Sequence, residues 1–170
     1  MAAYQAGSAA AVEQIYAALS RAVSRYLLAV TRDRTRTADL TQETFLQVHR
    51  ARHTYDAARP VLPWVLAIAR HVHLMDRRRA TRRVRAVSLE DEPIDPATVF
   101  RDPEVWREVE QALEQVPPAS REAWVLHHIN GLRFKEIAEI LGIGVSVTKL
   151  RSSRASARLR RVLVQVQSEG

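Results

Sequence analysis

Cysteine is absent from this 170-residue chain, which excludes a disulfide framework and a thiolate metal site and points to a reducing, cytoplasmic address. Glycine is scarce, at five residues, and runs of alternating β-branched residues are nearly missing, which excludes an extensive sheet and leaves an all-helical protein. No apolar run approaches the roughly 18 residues a membrane span needs. Residues 1–18 lack the basic-then-apolar order of a secretory leader, so no signal peptide is expected. Acids are scarce where bases are dense. The net charge is +7 and the pI about 10.7. Residues 1–90 hold fifteen Arg against seven acids, residues 91–118 two Arg against eight, and residues 119–170 nine Lys and Arg against four. Two basic blocks joined by an acidic strip suggest two binding modules for polyanions and a connector.

Apolar spacing predicts a first helix from about Ser8 to Val30, a polar break over 31–36, and a second helix from an N-cap at Thr37 to about His53. A loop follows over Tyr55–Pro60, and a third helix enters near Leu62-Pro63 and runs to about Arg83. Residues 86–103 hold three prolines and five acids and cannot build a core. The expected layout is therefore two small helical domains, 1–85 and 104–170, joined by a flexible acidic linker at 86–103. The second domain reads as helices over Val105–Val116 and Ala119–Asn130, then a helix-turn-helix pair, with a frayed tail beyond Val164.

The last pair carries the clearest chemistry. Phe134 to Ile143 places a small residue, Ala138, where a crossing helix needs clearance, and Gly142 where the first helix must end. Ser146 reads as the N-cap of the next helix, which has no acid from Lys149 to Arg161. On that helix Thr148, Ser152, Ala155, Leu159 and Val162 share an inward face. Lys149, Leu150, Ser153 and Arg154 fall where a recognition helix reaches base edges of duplex DNA. Arg151, Arg158, Arg160 and Arg161 suit phosphates or solvent. Leu150 cannot hydrogen-bond, so a thymine methyl is its natural target if it touches a base.

The third helix and its exit carry Arg70, Arg77, Arg78, Arg79, Arg82, Arg83 and Arg85 with Asp76 the one acid, and Tyr55 and Trp64 stand at its entrance. Aromatic rings beside cations suit a strand held unpaired. Trp64 reads first as a core residue capping the apolar stripe and second as a base platform; Tyr55, in a loop, fits both. On the second helix Leu40, Thr44, Val48 and Ala51 point inward, and Asp39, Gln42, Glu43, Leu46 and His49 outward, a mixed surface suited to a protein partner.

The ordered set Asp39-Leu40-Thr41-Gln42-Glu43-Thr44-Phe45, Tyr55-Asp56, Pro63-Trp64, Ile68-Ala69-Arg70, Arg77-Arg78-Arg79, Glu136-Ile137-Ala138, Leu141-Gly142 and Arg154-Ala155 resembles bacterial RNA polymerase sigma factors of the extracytoplasmic-function type, over roughly residues 4–164. The resemblance implies a promoter-melting domain, a linker and a helix-turn-helix domain, with core RNA polymerase (its clamp coiled coil and flap) and promoter DNA as partners. It implies that Asp39, Gln42, Glu43 and Leu46 dock on polymerase. It implies that Tyr55, Trp64, Arg70, His71, Arg77 and Arg78 hold the melted minus-ten element, and that Lys149, Leu150, Ser153 and Arg154, with Ser146 and Arg151 beside them, face the minus-thirty-five element. Relatives are often held inactive by an anti-sigma factor. His71 stands where relatives often have Asn, and Thr148 where they have Val, a change expected to loosen the turn.

Neither His71 with His73 nor His127 with His128 has the four-residue spacing that chelates on one helix, so no metal and no cofactor is expected. No phosphate loop or nucleophile motif appears, so the chain is not expected to be an enzyme. The alternative is a stand-alone helix-turn-helix regulator with an N-terminal sensing or dimerising domain. Such a protein has no need of the Asp39–Phe45 surface beside an arginine-lined helix.

Overall fold

Chain stops, more than propensity, set the helix boundaries. The computed structural model describes residues 2–5, 8–83 and 103–168, all helix, turn or loop. The chain divides into two units, Met1–Ile94 and Asp95–Gly170. Residues 86–102 of the expected acidic connector lie outside the described residues, as do Arg85 and the side chains of Arg82 and Arg83.

The first unit contains α1 (Ala2–Gln5), α2 (Ala9–Thr31), α3 (Arg34–Ala51), a 3₁₀ turn (Arg52–Thr54) and α4 (Val61–Arg83). Helices α2, α3 and α4 pack on one another pairwise. Val23, Tyr26 and Leu27 from α2, Leu40 and Val48 from α3, and Val65, Leu66 and Ala69 from α4 are buried together in this unit. Each such aliphatic side chain contributes about 1.5–3 kcal/mol on burial.

Three buried threonines, Thr37, Thr41 and Thr44, complete the inward face of α3. They tolerate burial because their hydroxyls are satisfied locally. Thr41 Oγ1 donates to the Thr37 carbonyl at 2.7 Å and Thr44 Oγ1 to the Leu40 carbonyl at 2.6 Å. The Ser24 and Thr41 hydroxyls meet at 3.2 Å, which links α2 to α3.

Two expectations need correction here. Thr37 does not cap α3; Asp33 does, its carboxylate accepting the Arg36 N–H at 3.0 Å. A carboxylate beside the positive helix end outcompetes a hydroxyl that is already bonded to the Asp33 carbonyl. The break between α2 and α3 thus shrinks to Arg32 and Asp33, with Arg32 in the left-handed region at φ 57°. The chain also begins its structure earlier than the periodicity suggested. Tyr4 in α1 is buried, and Gln5 Nε2 donates to the carbonyls of Arg52 and Tyr55, both at 3.0 Å.

The second unit contains α5 (Pro103–Glu114), α6 (Pro118–Trp124) running into a π-turn (Val125–Ile129), α7 (Phe134–Leu141) and α8 (Val145–Ser168). Helix α8 packs on α5, α6 and α7. Ala112, Leu113, Val116, Ala123, Val125, Leu126, Ile137, Leu141, Ala155 and Leu159 form the core. Helix α8 runs to Ser168, past the Val164 at which fraying was expected.

In the π-turn the Asn130 N–H reaches back five residues to the Val125 carbonyl at 3.1 Å. The turn carries two histidines that stack on different helices. His127 stacks on Phe134 with ring centroids 4.1 Å apart, and its Nδ1–H donates to the Leu132 carbonyl at 2.8 Å. His128 stacks on Trp124 at 4.9 Å, and burial first, then His127, hold its imidazole below the usual value. Trp124 in turn donates its Nε1–H to Ser156 Oγ at 3.1 Å, tying α6 to α8.

Gly142 ends α7 at φ 66°, and the Ile143 N–H reaches the Ala138 carbonyl at 3.1 Å in a Schellman-like closure. The space where a β-carbon would stand is open, so the need for glycine is conformational alone. Gly142→Val is expected to destabilise the second unit by about 1–2 kcal/mol through the left-handed backbone. A thermal melt of that unit unchanged to within a degree would contradict it.

Candidate nucleic-acid interface

Three separate surfaces carry the residues singled out in the sequence, and each is set by one helix.

On α3, Asp39, Gln42, Glu43 and Leu46 recur at i, i+3, i+4 and i+7 and so fall on one face. Asp39 and Gln42 are exposed, and Leu46 is 54% exposed although apolar. Glu43 is half-buried and accepts from Gln47 Nε2 at 2.6 Å. Beside them the Phe45 ring packs on Tyr16 of α2 with centroids 4.7 Å apart, and Tyr16 remains 47% exposed. A carboxylate–amide surface with uncovered apolar side chains in it has the mixture found at protein–protein contacts. Tyr16 thus extends this surface from α3 onto α2.

The second surface is the loop at 55–60 and α4. Tyr55 is corrected: it is only 8% exposed and cannot offer a ring face to a base. Its hydroxyl donates to the Arg59 carbonyl, and its ring lies 5.1 Å from that of Trp64. Asp56 turns the loop by accepting the Ala58 N–H at 2.9 Å. Tyr55 therefore positions the loop and braces Trp64, which is half-buried at the start of α4. Trp64, His71 and Arg78 are spaced by seven and form one outward row; Arg70 and Arg77 form a second row beside it. His71, Arg77 and Arg78 are exposed and Arg70 is half-buried. The lone acid of α4, Asp76, pairs with Arg36 of α3.

The third surface is α8. Thr148, Ser152, Ala155 and Leu159 are buried, and Val162 is half-buried, as the inward face requires. Thr148 is fully buried, and its Oγ1 donates to the Gly144 carbonyl at 3.1 Å. Its hydroxyl is thus satisfied, so threonine does not loosen the turn. Ser146 is not the N-cap. The Gly144 carbonyl already accepts the first helical bond, from the Thr148 N–H at 3.0 Å, so Gly144 occupies the cap position and Ser146 lies exposed in the first turn. Lys149, Leu150, Ser153 and Arg154 are all exposed on the outward side, and Arg151 is half-buried at its margin. Arg158 is drawn off to a structural task, its Nε–H donating to the Gln115 carbonyl at 3.2 Å. The first turn of α7 is capped locally, the Arg133 N–H donating to Glu136 Oε2 at 2.7 Å.

Comparison with known proteins relates both units to one family. The family model for Sigma-70 region 2 matches residues 15–83, and that for Sigma-70, region 4 matches residues 106–159. The chain is 31% identical over 169 residues to the RNA polymerase sigma factor CarQ of Myxococcus xanthus, covering 98% of this chain and 97% of that one. It is 33% identical over 127 residues to the ECF RNA polymerase sigma factor SigF of Caulobacter vibrioides, covering 72% and 70% of the two chains.

Among solved structures, CnrH in complex with the cytosolic domain of CnrY superposes with a TM-score of 0.72 at 26% identity, covering 96% of this chain and 94% of that one. The sigma factor RpoE of Bartonella quintana, bound to the anti-sigma factor NepR, shares the fold with a TM-score of 0.75 at 23% identity, over 89% and 95% of the chains. A stand-alone regulator is not supported, because the first unit matches region 2 of sigma factors. Among the described residues no helix is long and apolar enough to cross a membrane. The chain belongs to the RNA polymerase sigma factors, in their extracytoplasmic-function group.

Proposed function

We propose that the three surfaces divide the work of a promoter-specificity subunit that acts in the cytoplasm and performs no catalysis of its own. As a sigma factor the chain binds core RNA polymerase and directs promoter recognition, strand opening and initiation. In this reading residues 1–85 form the polymerase-docking and minus-ten domain, residues 86–103 the connector, and residues 104–170 the minus-thirty-five domain. The α3 face of Asp39, Gln42, Glu43 and Leu46 docks on the clamp coiled coil. Trp64, Arg70, His71, Arg77 and Arg78 hold the unpaired minus-ten strand, with Trp64 as the ring platform and Tyr55 as its brace. Ser146, Lys149, Leu150, Ser153 and Arg154 face the minus-thirty-five duplex, and Arg151 touches its backbone.

The observation that carries this reading is the outward side of α8, which is exposed, cationic and without an acid from Lys149 to Arg161. Such a face gains from each phosphate it neutralises, and its hold on free duplex should weaken steeply with salt.

Docking is tested separately from DNA recognition. Gln42→Ala combined with Glu43→Ala is expected to weaken binding to core polymerase about tenfold. The fold should persist, because the side-chain hydrogen bond lost, from Gln47, is part-buried and lies within one turn of α3. Unchanged affinity in a fluorescence titration would contradict the docking face.

A further inference from the structure

Helix α8 shows apolar side chains in the middle of a cationic surface. Its buried stripe of Thr148, Ser152, Ala155 and Leu159 fixes the inward direction. At about 100° per residue, Leu150 projects almost directly opposite that stripe. It is therefore the centre of the outward face, with Ser153 on one side and Arg154 on the other. Leu150 is 48% exposed, and Val147, one turn earlier on the Arg154 side, is exposed as well. Around them the segment from Lys149 to Arg161 holds six cations and no acid.

An isobutyl group can neither donate nor accept a hydrogen bond, and in water it stabilises nothing. The surrounding charge selects a polyanion as the occupant over an apolar protein surface. Within the major groove of duplex DNA, the apolar group on the base edges is the C5 methyl of thymine.

We propose that Leu150, with Val147 beside it, reads thymine methyl groups in the upstream promoter duplex and is a specificity-determining residue of this chain. The inference rests on the assignment of α8 as the duplex-reading helix. Lys149 and Arg154 supply the charge that holds the helix in the groove. Leu150 adds discrimination that those charges cannot, because phosphates are alike at every base pair.

The test exploits deoxyuridine, which lacks only the methyl and keeps every hydrogen-bonding group of thymidine. A promoter used by the chain with core polymerase is rebuilt with deoxyuridine replacing thymidine one position at a time across its upstream element. For the unaltered chain, initiation should fall about fourfold at one or two positions, the worth of a buried methyl. Leu150→Ala should initiate at that reduced level on both the thymidine and the deoxyuridine template. Leu150→Met, apolar and of similar volume, should keep the sensitivity.

Indifference of the unaltered chain to every replacement would overturn the inference while leaving directed initiation, and hence the proposed function, intact. An undiminished deoxyuridine effect in Leu150→Ala would overturn it too, as would an equal loss on both templates to below the unaltered chain's deoxyuridine level. Absence of any directed initiation would instead remove the assignment on which it rests.

Discussion

Arg154→Ala is expected to lower promoter-directed initiation about 10–100-fold while affinity for core polymerase stays within about twofold. Arg154 lies one turn beyond Leu150 on the outward side of α8, exposed, with no hydrogen bond or ion pair to another described residue. A guanidinium in that place can present its two-pronged donor set to a guanine edge, a geometry that alanine removes wholly and lysine only in part. Arg154→Lys should therefore retain the salt dependence of binding while losing discrimination among upstream sequences. The two readouts are run-off transcription from a reconstituted holoenzyme and a direct polymerase-binding titration. Initiation unchanged by Arg154→Ala would remove this residue from base recognition. A parallel fall in polymerase affinity would instead place it at a protein contact.

The second large effect is on stability. Arg121 in α6 is 5% exposed, and its Nη2 donates to the Val116 carbonyl at 2.9 Å and the Glu114 carbonyl at 3.4 Å. Those carbonyls lie at and just beyond the end of α5, where helical carbonyls have no partner within the helix and the dipole favours a cation. Arg121→Ala removes the cation, leaves polar groups buried and opens a void. A loss of about 3 kcal/mol in the second unit is expected.

Arg121→Met restores most of the volume without the donors and should recover part of that loss, which separates packing from hydrogen bonding. Thermal unfolding followed by circular dichroism provides the check. Each of the two units is expected to show its own transition, so the shift should appear in one of them alone. A variant within about 0.5 kcal/mol of the unaltered chain would show that the arginine caps nothing of consequence.

What could be read from the sequence followed from periodicity. Helix α2 was expected over Ser8 to Val30 and is found at Ala9–Thr31, because its apolar residues recur at helical spacing over six turns. The Gly142 stop was legible for a similar reason, since few residues accept its backbone conformation. The start of α3 was not legible. The run from Thr31 to Thr37 offers several capping residues, and in the folded chain the Asp33 carboxylate takes the Arg36 N–H while the Thr37 hydroxyl is bonded to the Asp33 carbonyl.

Helix α1 is too short to show a period, and the π-turn is a change of hydrogen-bond register that leaves no compositional trace. Charge also misled where it was locally consumed. Arg158 reads as a phosphate contact or solvated charge, yet its Nε–H donates to the Gln115 carbonyl. Tyr55 failed as a platform because a loop aromatic can be buried by its own loop, a property of the folded chain and not of the residue.

For the candidate site, side-chain type and spacing proposed three faces, and the structure shows which members of each meet solvent. Leu46 and Leu150 are the clearest cases. Periodicity placed both outward, and both are exposed, Leu46 at 54% and Leu150 at 48%.

The most direct test of the account is to map the first nucleotides of transcripts made in vitro on genomic DNA by core polymerase with and without this chain. Addition of the chain should create a discrete set of start sites, each preceded by the same two spaced sequence elements. Identical start sites in the two reactions would contradict it.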